Sequence, residues 1–350
     1  MTLPRNLITD VAGLCVGNAH DERLASGVTA ILAERPNVAS VVVGGGAPGG
    51  RDTGLLSPEM SVEGVDGVVL SGGSAFGLDA AGGVMGHLRN SGVGLTVGGA
   101  IIPIVPQAIV FDLLNGGDKT WGGEKTWGGD KTWDGKPPYW ELGRQAAQAA
   151  AGGAFALGTV GGGYGATTAN LKGGLGSASA VTPSGHTVAA IVVVNAIGSA
   201  TVGEGGHFWA APFERNGEFG GLGFPEHVAD ADLSPRMKGG TPATTIALVA
   251  TDAVLTKAQA KRLALMADDG LARALRPAHA PMDGDTVFAV ATQRKPLDEA
   301  MMMAQLTILG MTAADCLARA VARGVFEATP LPVAGALPAW RDRYGSGGAG

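Results

Sequence analysis

Cysteine is nearly absent from this chain, and charged side chains are few. The 350 residues include two cysteines, Cys15 and Cys316, which form no CxxC pair, and 16% of the residues are charged. This pattern favours a reducing cytoplasm, with both thiols packed in the interior rather than used in chemistry. We therefore expect a cytoplasmic protein.

The charge balance and the glycine content argue against two kinds of partner. The net charge is −6 and the isoelectric point is near 5.5, which is not typical of a nucleic-acid-binding surface. Long charge-free stretches, such as residues 145–171, are rich in glycine, and the N-terminal residues carry no apolar signal core. We expect neither a nucleic-acid partner nor a membrane span.

Common catalytic and cofactor motifs are also missing. The chain has no GxSxG, HExxH or GxxxxGK[ST] motif. Glycines 44, 46 and 49 match the GxGxxG pattern of dinucleotide-binding proteins, but Pro48 and the residues after it do not begin the helix that such a site requires. The six histidines show no metal-ligand spacing and are interpreted as packing or surface residues: His20, His87, His186, His207, His227 and His279. We expect no metal and no organic cofactor.

Glycine, in contrast, is abundant. The 59 glycines separate apolar, β-rich runs and form no low-complexity tract, which predicts one folded domain over residues 1–350. Strands are predicted at 39–43, 65–70, 186–195, 245–250 and 286–291. Helices are predicted at 78–89, from Thr256 to before Pro277, and at 297–322, with a disordered tail at 344–350.

One local repeat interrupts this pattern. Residues 116–133 are three near-identical hexapeptides of the form GG[DE]KTW, too short to stack as a solenoid. We interpret them as a solvated inserted loop. The alternative is that their tryptophans gather at a substrate entrance or a subunit contact.

Thr244 and the Asp-Gly-Asp segment after it suggest a nucleophile. A threonine hydroxyl needs a base, and cleavage of the bond before Thr244 would free an α-amine that ordinarily titrates at roughly pH 7.7–8. Asp283 and Asp285 are two residues apart, so in an extended segment both face the same way and can reach Thr244. The competing interpretations are a strand threonine and an ordinary Asp-Gly turn.

Over roughly residues 6–323 the chain resembles the DmpA-type self-cleaving aminopeptidases and the related 6-aminohexanoate-oligomer hydrolases. The matching segments lie at residues 8–13, 45–49, 69–79, 172–177, 193–195, 244–246 and 283–288. The resemblance implies an α+β fold of the αββα sandwich type. It also implies internal cleavage into chains 1–243 and 244–350, and homo-oligomers, tetramers or larger, of the processed pairs.

The resemblance assigns the roles at the cleaved bond. Thr244 is the nucleophile and the first residue of the smaller chain, and Ala243 precedes the bond that is cut. Asp283 and Asp285 are the acidic pair, one orienting the amine of Thr244 and the other supporting it.

The remaining roles also come from the resemblance. Lys172 is the active-site lysine, whose positive charge near the threonine amine favours the neutral form of that amine. Asn195 donates to the oxyanion of the reacting carbonyl. Phe111, Gly73 and Ser74 are assigned to the substrate pocket.

The implied function is an autoproteolytically activated hydrolase of short peptides, amino-acid amides or ω-amino-acid oligomers. Two departures bear on it, since some relatives have Asn or Gly where this chain has Ala243, and Tyr where it has Phe111. Two alternatives stay open. One is acyl transfer to an amine, as in ornithine acetyltransferases, and the other is an unprocessed, non-catalytic oligomer that binds a small molecule.

Overall fold

The computed structural model of the chain describes residues 4–119 and 136–345. Most of the hexapeptide repeat, and residues 346–350 of the tail predicted to be disordered, therefore lie outside the described residues, whereas Tyr344 ends a short helix. The strands are β1 Leu14–Asp21, β2 Ser26–Val43, β3 Gly50–Arg51, β4 Val65–Ser71, β5 Leu95–Val97, β6 Ala100–Ile102, β7 Gln107–Ile109, β8 Leu175–Val181, β9 Thr187–Asn195, β10 Thr244–Ala253 and β11 Thr286–Lys295. The helices are α1 Ala80–Asn90, α2 Tyr139–Gln148, α3 Lys257–Ala274, α4 Met302–Phe326 and α5 Trp340–Tyr344.

The long strand β2 belongs to two stacked layers of sheet. Its first part pairs antiparallel with β1 and β4, and its last part, Val38–Val43, pairs antiparallel with β11. The strand order is β3-β7-β4-β2-β11-β10-β9-β8, with β1 also paired to β2. Two neighbours, β4 with β7 and β10 with β11, run parallel. Strand β2 therefore carries the chain from one sheet layer into the other.

Three apolar cores separate four layers. Helices α1 and α2 pack on the layer formed by β1, β2 and β4, and helices α3 and α4 pack on the layer formed by β8, β9 and β11. A third core lies between the sheets and joins Ile31 and Leu70 of one layer to Ile191 and Leu248 of the other. This is the predicted αββα sandwich of the α+β class.

Strand β10 shows why the sequence of this layer is almost continuously apolar. Ile246 and Leu248 point into the core between the sheets, while Ala247 and Val249 point toward the helices, and all four are fully buried. Successive side chains of a strand point to opposite faces of the sheet. Because both faces of β10 are covered, none of its side chains faces solvent, and nearly all positions can be apolar. The strand thus holds its first residue, Thr244, in a rigid and buried frame.

Each predicted strand and helix is present in the structure, but β2 begins at Ser26 and not at residue 39, and the bounds of helix α4 also differ. Thr256 caps α3, as predicted, by accepting a hydrogen bond from Gln259 N at 3.2 Å. Helix α4 begins at Met302 and not at residue 297, because Asp298 caps a short 3-10 turn by accepting from Ala300 N at 2.9 Å. The segment Glu299–Phe326 is long and apolar enough to span a membrane by length and composition alone, but α4 packs on α3, β8 and β9 as a core helix.

Shortening a side chain between the sheets should measure how strongly this core holds β10. We expect Leu248→Ala to lower the free energy of unfolding by about 2–5 kcal/mol, because it removes a fully buried side chain and leaves a cavity. Leu265→Ala, at a position of α3 that is 39% exposed, is the control. Chemical denaturation of both variants gives the comparison, and equal losses would contradict this description of the core.

Candidate active site

Thr244 and Asn195 face each other at the ends of two neighbouring strands. They are direct partners in the antiparallel register of β10 and β9, and both side chains are buried. The hydroxyl of Thr244 donates a hydrogen bond to the carbonyl oxygen of Ala243, the residue just before it. The backbone N–H of Gly284 donates to the same carbonyl oxygen at 3.0 Å. The carbonyl oxygen of the peptide bond between Ala243 and Thr244 therefore accepts two hydrogen bonds, one from the Thr244 hydroxyl and one from the Gly284 N–H.

The Asp-Gly-Asp turn packs directly against this peptide bond. Ala243 forms a parallel bridge with Asp283, and a Cβ added to Gly284 would lie 2.6 Å from the hydroxyl oxygen of Thr244. Only glycine fits at that position without displacing the threonine. The close approach explains why the two carboxylates are separated by a glycine.

Asp285 is the anchored member of the acidic pair. Its side chain is fully buried, and Oδ1 accepts a hydrogen bond from the backbone N–H of Thr245 at 2.7 Å. Its Oδ2 accepts from the backbone N–H of His279 at 3.0 Å and lies 2.9 Å from Nδ1 of the same histidine. His279 is therefore not the isolated packing or surface residue that the sequence suggested.

Asp283 is the protonated member of the pair. Burial, followed by the negative charge of Asp285 and a hydrogen bond to it, raises the pKa of Asp283 to about 8. Its Oδ1 is buried without a hydrogen-bond partner among the described residues. At neutral pH Asp283 thus holds its proton.

Hydrogen bonds fix the orientation of the Asn195 amide. Its Oδ1 accepts from the backbone N–H of Thr167 at 3.0 Å and from Nζ of Lys238 at 2.8 Å, and its Nδ2 donates to the carbonyl of Phe111 at 2.9 Å. The oxygen is therefore occupied. One N–H of the amide has no partner among residues 4–119 and 136–345 and is free to donate.

Lys238 is a site residue that the sequence did not indicate. It lies in the loop before Thr244, and its Nζ also donates to the Asn195 carbonyl at 3.1 Å. Burial lowers the pKa of Lys238 to about 7, against the opposing charges of Asp283 and Asp112. A lysine between glycines and prolines in a polar loop looks like a surface residue, so its sequence context carries no signal.

Lys172 lies in the wall of the cavity described below, where its side chain is buried. Its buried Nζ donates to the carbonyls of Gly163, Ala166 and Gly173 at 2.8–3.0 Å, so the hydrogen bonds it makes within the described residues all go to backbone. Burial lowers its pKa to about 7. Lys172 therefore holds the glycine-rich loop in place at the edge of the site, and its predicted effect on the Thr244 amine stays a prediction.

A cavity of about 540 Å³ lies beside these groups. Its lining includes Phe111, Asp112, Lys172, Lys238, Pro242 and Leu331. Of the three predicted pocket residues, only Phe111 borders it. Gly73 packs against the ring of Tyr139 and donates to Asp112 Oδ1 at 2.8 Å, while Ser74 N donates to the carbonyl of Val110 at 3.0 Å.

The described residues contain no cluster suited to a metal ion. Within 4–119 and 136–345, no group of three or more His, Cys, Asp and Glu side chains has metal-binding geometry. The expectation that no cofactor is needed stays a prediction.

Comparison with known proteins defines the class. Residues 6–336 match Peptidase family S58, and the chain belongs to this family of hydrolases. It is 44% identical over 361 residues to an uncharacterized aminopeptidase of Mycobacterium tuberculosis, a match that covers 97% of this chain and 98% of that protein. It is 27% identical over 289 residues to a 6-aminohexanoate-oligomer endohydrolase of Kocuria sp., covering 81% and 74%.

Two solved structures support the fold. A Burkholderia sp. β-aminopeptidase superposes with a TM-score of 0.67 at 21% identity, covering 98% of this chain and 92% of that one. The L-aminopeptidase D-Ala-esterase/amidase of Ochrobactrum anthropi, described as a variant of the Ntn hydrolase fold, superposes with a TM-score of 0.63 at 20% identity, covering 95% and 88%. The chain therefore has an N-terminal-nucleophile hydrolase fold.

The buried proton on Asp283 should appear as a pH dependence of stability. An acid whose pKa rises from 3.8 to about 8 on folding binds its proton more tightly in the folded chain, so the free energy of unfolding falls as pH rises through that range. Asp283→Asn carries no such proton, and we expect it to gain stability relative to the parent as pH rises.

Denaturation of uncleaved Thr244→Ala protein, with and without Asp283→Asn, measures this difference. Asp342→Asn, at an exposed position of α5, is the control. A difference between the two proteins that stays constant from acid to neutral pH would contradict the assignment of the proton.

Proposed function

We propose that this chain is an N-terminal threonine hydrolase that cuts its own bond between Ala243 and Thr244 and then hydrolyses amide bonds. The observation that carries the proposal is the contact of the Thr244 hydroxyl with the Ala243 carbonyl, whose oxygen also accepts the Gly284 N–H. A hydroxyl, a polarised carbonyl and two buried carboxyl groups are the parts that an internal acyl shift requires.

In the self-cleavage step, the hydroxyl oxygen of Thr244 attacks the Ala243 carbonyl carbon. The Gly284 N–H stabilises the negative charge that develops on the carbonyl oxygen. The bond from that carbon to the nitrogen of Thr244 breaks, and the nitrogen takes up the proton that the attacking hydroxyl released, becoming an amine. Water then hydrolyses the ester, leaving a carboxylate on Ala243 and a free amine on Thr244.

The processed enzyme repeats this chemistry on a substrate. The α-amine of Thr244 accepts the hydroxyl proton as the oxygen attacks the substrate carbonyl, and it passes the proton to the leaving amine. Asp283 and Asp285 hold the amine, as expected from the sequence. Water releases the acyl group from the threonine and completes the cycle.

Asn195 is the second oxyanion donor in this proposal. Lys238 and the backbone of Thr167 occupy its amide oxygen, so the amide can offer only N–H to a reacting carbonyl. Lys238 thereby acts by positioning Asn195. Lys172 supports the same site by fixing the glycine-rich loop and by adding positive charge at the cavity wall.

The cavity supports a short, linear acyl group as substrate. Thr241 and Pro242, which precede the cleaved bond, line it, so the cavity lies on the acyl side of the reaction. The tail that ends at Ala243 has to move after cleavage before a substrate can enter. The similarity to proteins named aminopeptidase, amidase and 6-aminohexanoate-oligomer endohydrolase supports short peptides, amino-acid amides and ω-amino-acid oligomers as substrates of this chain.

Assembly and location remain part of the proposal. Three apolar side chains of the β5–β6 hairpin, Leu95, Val97 and Ile102, are exposed, which supports a homo-oligomer of processed pairs. The scarcity of cysteine supports the cytoplasm. Light scattering of the processed protein would measure the oligomer.

Removing the Thr244 hydroxyl should stop self-cleavage. We expect Thr244→Ala to remain a full-length chain, because no oxygen is left to attack, whereas Thr244→Ser keeps the hydroxyl and is cleaved. Thr251→Ala deletes the same group farther along β10 and should be cleaved like the parent chain. Denatured mass measurements over time give the rates, and cleavage of Thr244→Ala at the parental rate would contradict the proposal.

Removing the Asn195 amide should slow hydrolysis without abolishing substrate binding. Loss of an oxyanion donor is expected to lower kcat on the order of 100-fold to 1,000-fold, with a small change in KM. Lys238→Met, which leaves the amide but frees its oxygen, should give a smaller loss. Steady-state kinetics of processed protein on an amino-acid p-nitroanilide test this, and Asn37→Ala, at a buried amide in β2, is the control.

A further inference from the structure

His279 connects the buried acidic pair to the surface of the molecule. Its ring lies between two carboxylates, with Nδ1 at 2.9 Å from Asp285 Oδ2 and Nε2 at 3.5 Å from Asp268 Oδ2 of helix α3. The histidine side chain is 27% exposed, whereas the Asp285 side chain is fully buried. The ring is therefore the polar group between Asp285 and solvent on this side of the site.

The backbone around His279 is shaped to hold the ring in place. His279 has a φ of 57°, in the left-handed region that non-glycine residues rarely adopt, and its N–H also donates to Asp285 Oδ2. On the opposite side, a Cβ added to Gly44 would lie 2.7 Å from His279 Nδ1 and 3.0 Å from Asp268 Oδ2. Gly44 N–H in turn donates to the Asp285 carbonyl at 3.0 Å. The ring is thus packed between Gly44, which follows β2, and Asp268 of helix α3.

The charges around the ring favour its protonated form. The contact with Asp285 raises the pKa of His279 above its ordinary value, and the charge of Asp268 acts in the same direction against burial. Burial raises the pKa of Asp268, next to which Asp269 adds a further negative charge. From the other side, the charge of Lys238 acts on Asp283 and opposes the rise in its pKa.

We propose that His279, held by Asp268, is a positioning residue that orients the Asp285 carboxylate and places a positive charge beside the acidic pair. Two groups of one residue then converge on Asp285 Oδ2: the backbone N–H donates a hydrogen bond at 3.0 Å, and the ring Nδ1 lies 2.9 Å away as an ion-pair partner. The other oxygen of Asp285 is directed to the N–H of Thr245, beside the nucleophile. This inference rests on the proposed threonine chemistry.

Two substitutions at His279 separate orientation from charge. His279→Asn places an amide N–H near the position of Nδ1 and tolerates the left-handed backbone, but it does not titrate. His279→Gly accepts the same backbone and removes the donor. Asp268→Asn removes the outer carboxylate, with Asp269→Asn, at the exposed neighbouring position, as its matched control and His227→Gln as the control for an exposed histidine.

The readouts are the rate of self-cleavage and kcat on an amino-acid p-nitroanilide, each as a function of pH. Without a cation beside it, the acidic pair of Asp283 and Asp285 binds a further proton more readily. In His279→Asn, the acidic limbs of the self-cleavage and kcat profiles should therefore move to higher pH by about one unit. The best rate of His279→Asn should stay near that of the parent. The rate of His279→Gly should fall about 10-fold or more, because the carboxylate is no longer held.

Each outcome counts for or against the inference. Acidic limbs unchanged in His279→Asn, or equal rates for His279→Gly and His227→Gln, would overturn it. If the acidic limb of the pH profile shifts no more in Asp268→Asn than in Asp269→Asn, Asp268 does not hold His279, which would also overturn the inference. If His279→Gly fails to fold, as judged by circular dichroism, His279→Asn decides the question through its pH profile. A chain whose Thr244→Ala variant still cleaves would refute the proposed function instead.

Discussion

The contact between the Asp-Gly-Asp turn and the start of β10 is the constraint on which the site depends. Asp283 forms a β-bridge with Ala243, and the Gly284 N–H donates a hydrogen bond to the Ala243 carbonyl. The Asp285 carboxylate accepts a hydrogen bond from the N–H of Thr245. Strand β11 follows the turn directly and pairs parallel with β10, so the sheet itself sets the position of these contacts. Rigid strands are a more accurate support for reacting groups than loops are.

Burial supplies most of the electrostatics of the site. Two lysines and one aspartate have pKa values moved toward neutrality, and burial is the largest cause for each of them: Lys172, Lys238 and Asp283. Groups poised near neutral pH can exchange protons at little cost in free energy. Burying these polar groups costs free energy, and the folded sheet layers are what hold them in position.

Much of the frame was predictable from the sequence because it depends on local patterns. Apolar runs predicted β9, β10 and β11, and the Thr256 capping box located the start of α3. The roles of Thr244 and Asn195 were assigned from the family resemblance, whereas their pairing across β10 and β9 comes from the structure. Lys238 and His279 escaped prediction because both lie in loops, where tertiary contacts decide the direction of a side chain. Lys172 was found by its position, but its contacts with three backbone carbonyls depend on how the glycine-rich loop closes.

The N-terminal residue of the smaller fragment tests the central claim most directly. Freshly purified protein would be incubated, denatured and separated, and the fragment sequenced from its N-terminus. Scaling 34.9 kDa by chain length, this account predicts fragments of roughly 24 and 11 kDa, the smaller beginning Thr-Thr-Ile-Ala. A single stable chain of 34.9 kDa, or a fragment that begins at another residue, would contradict it.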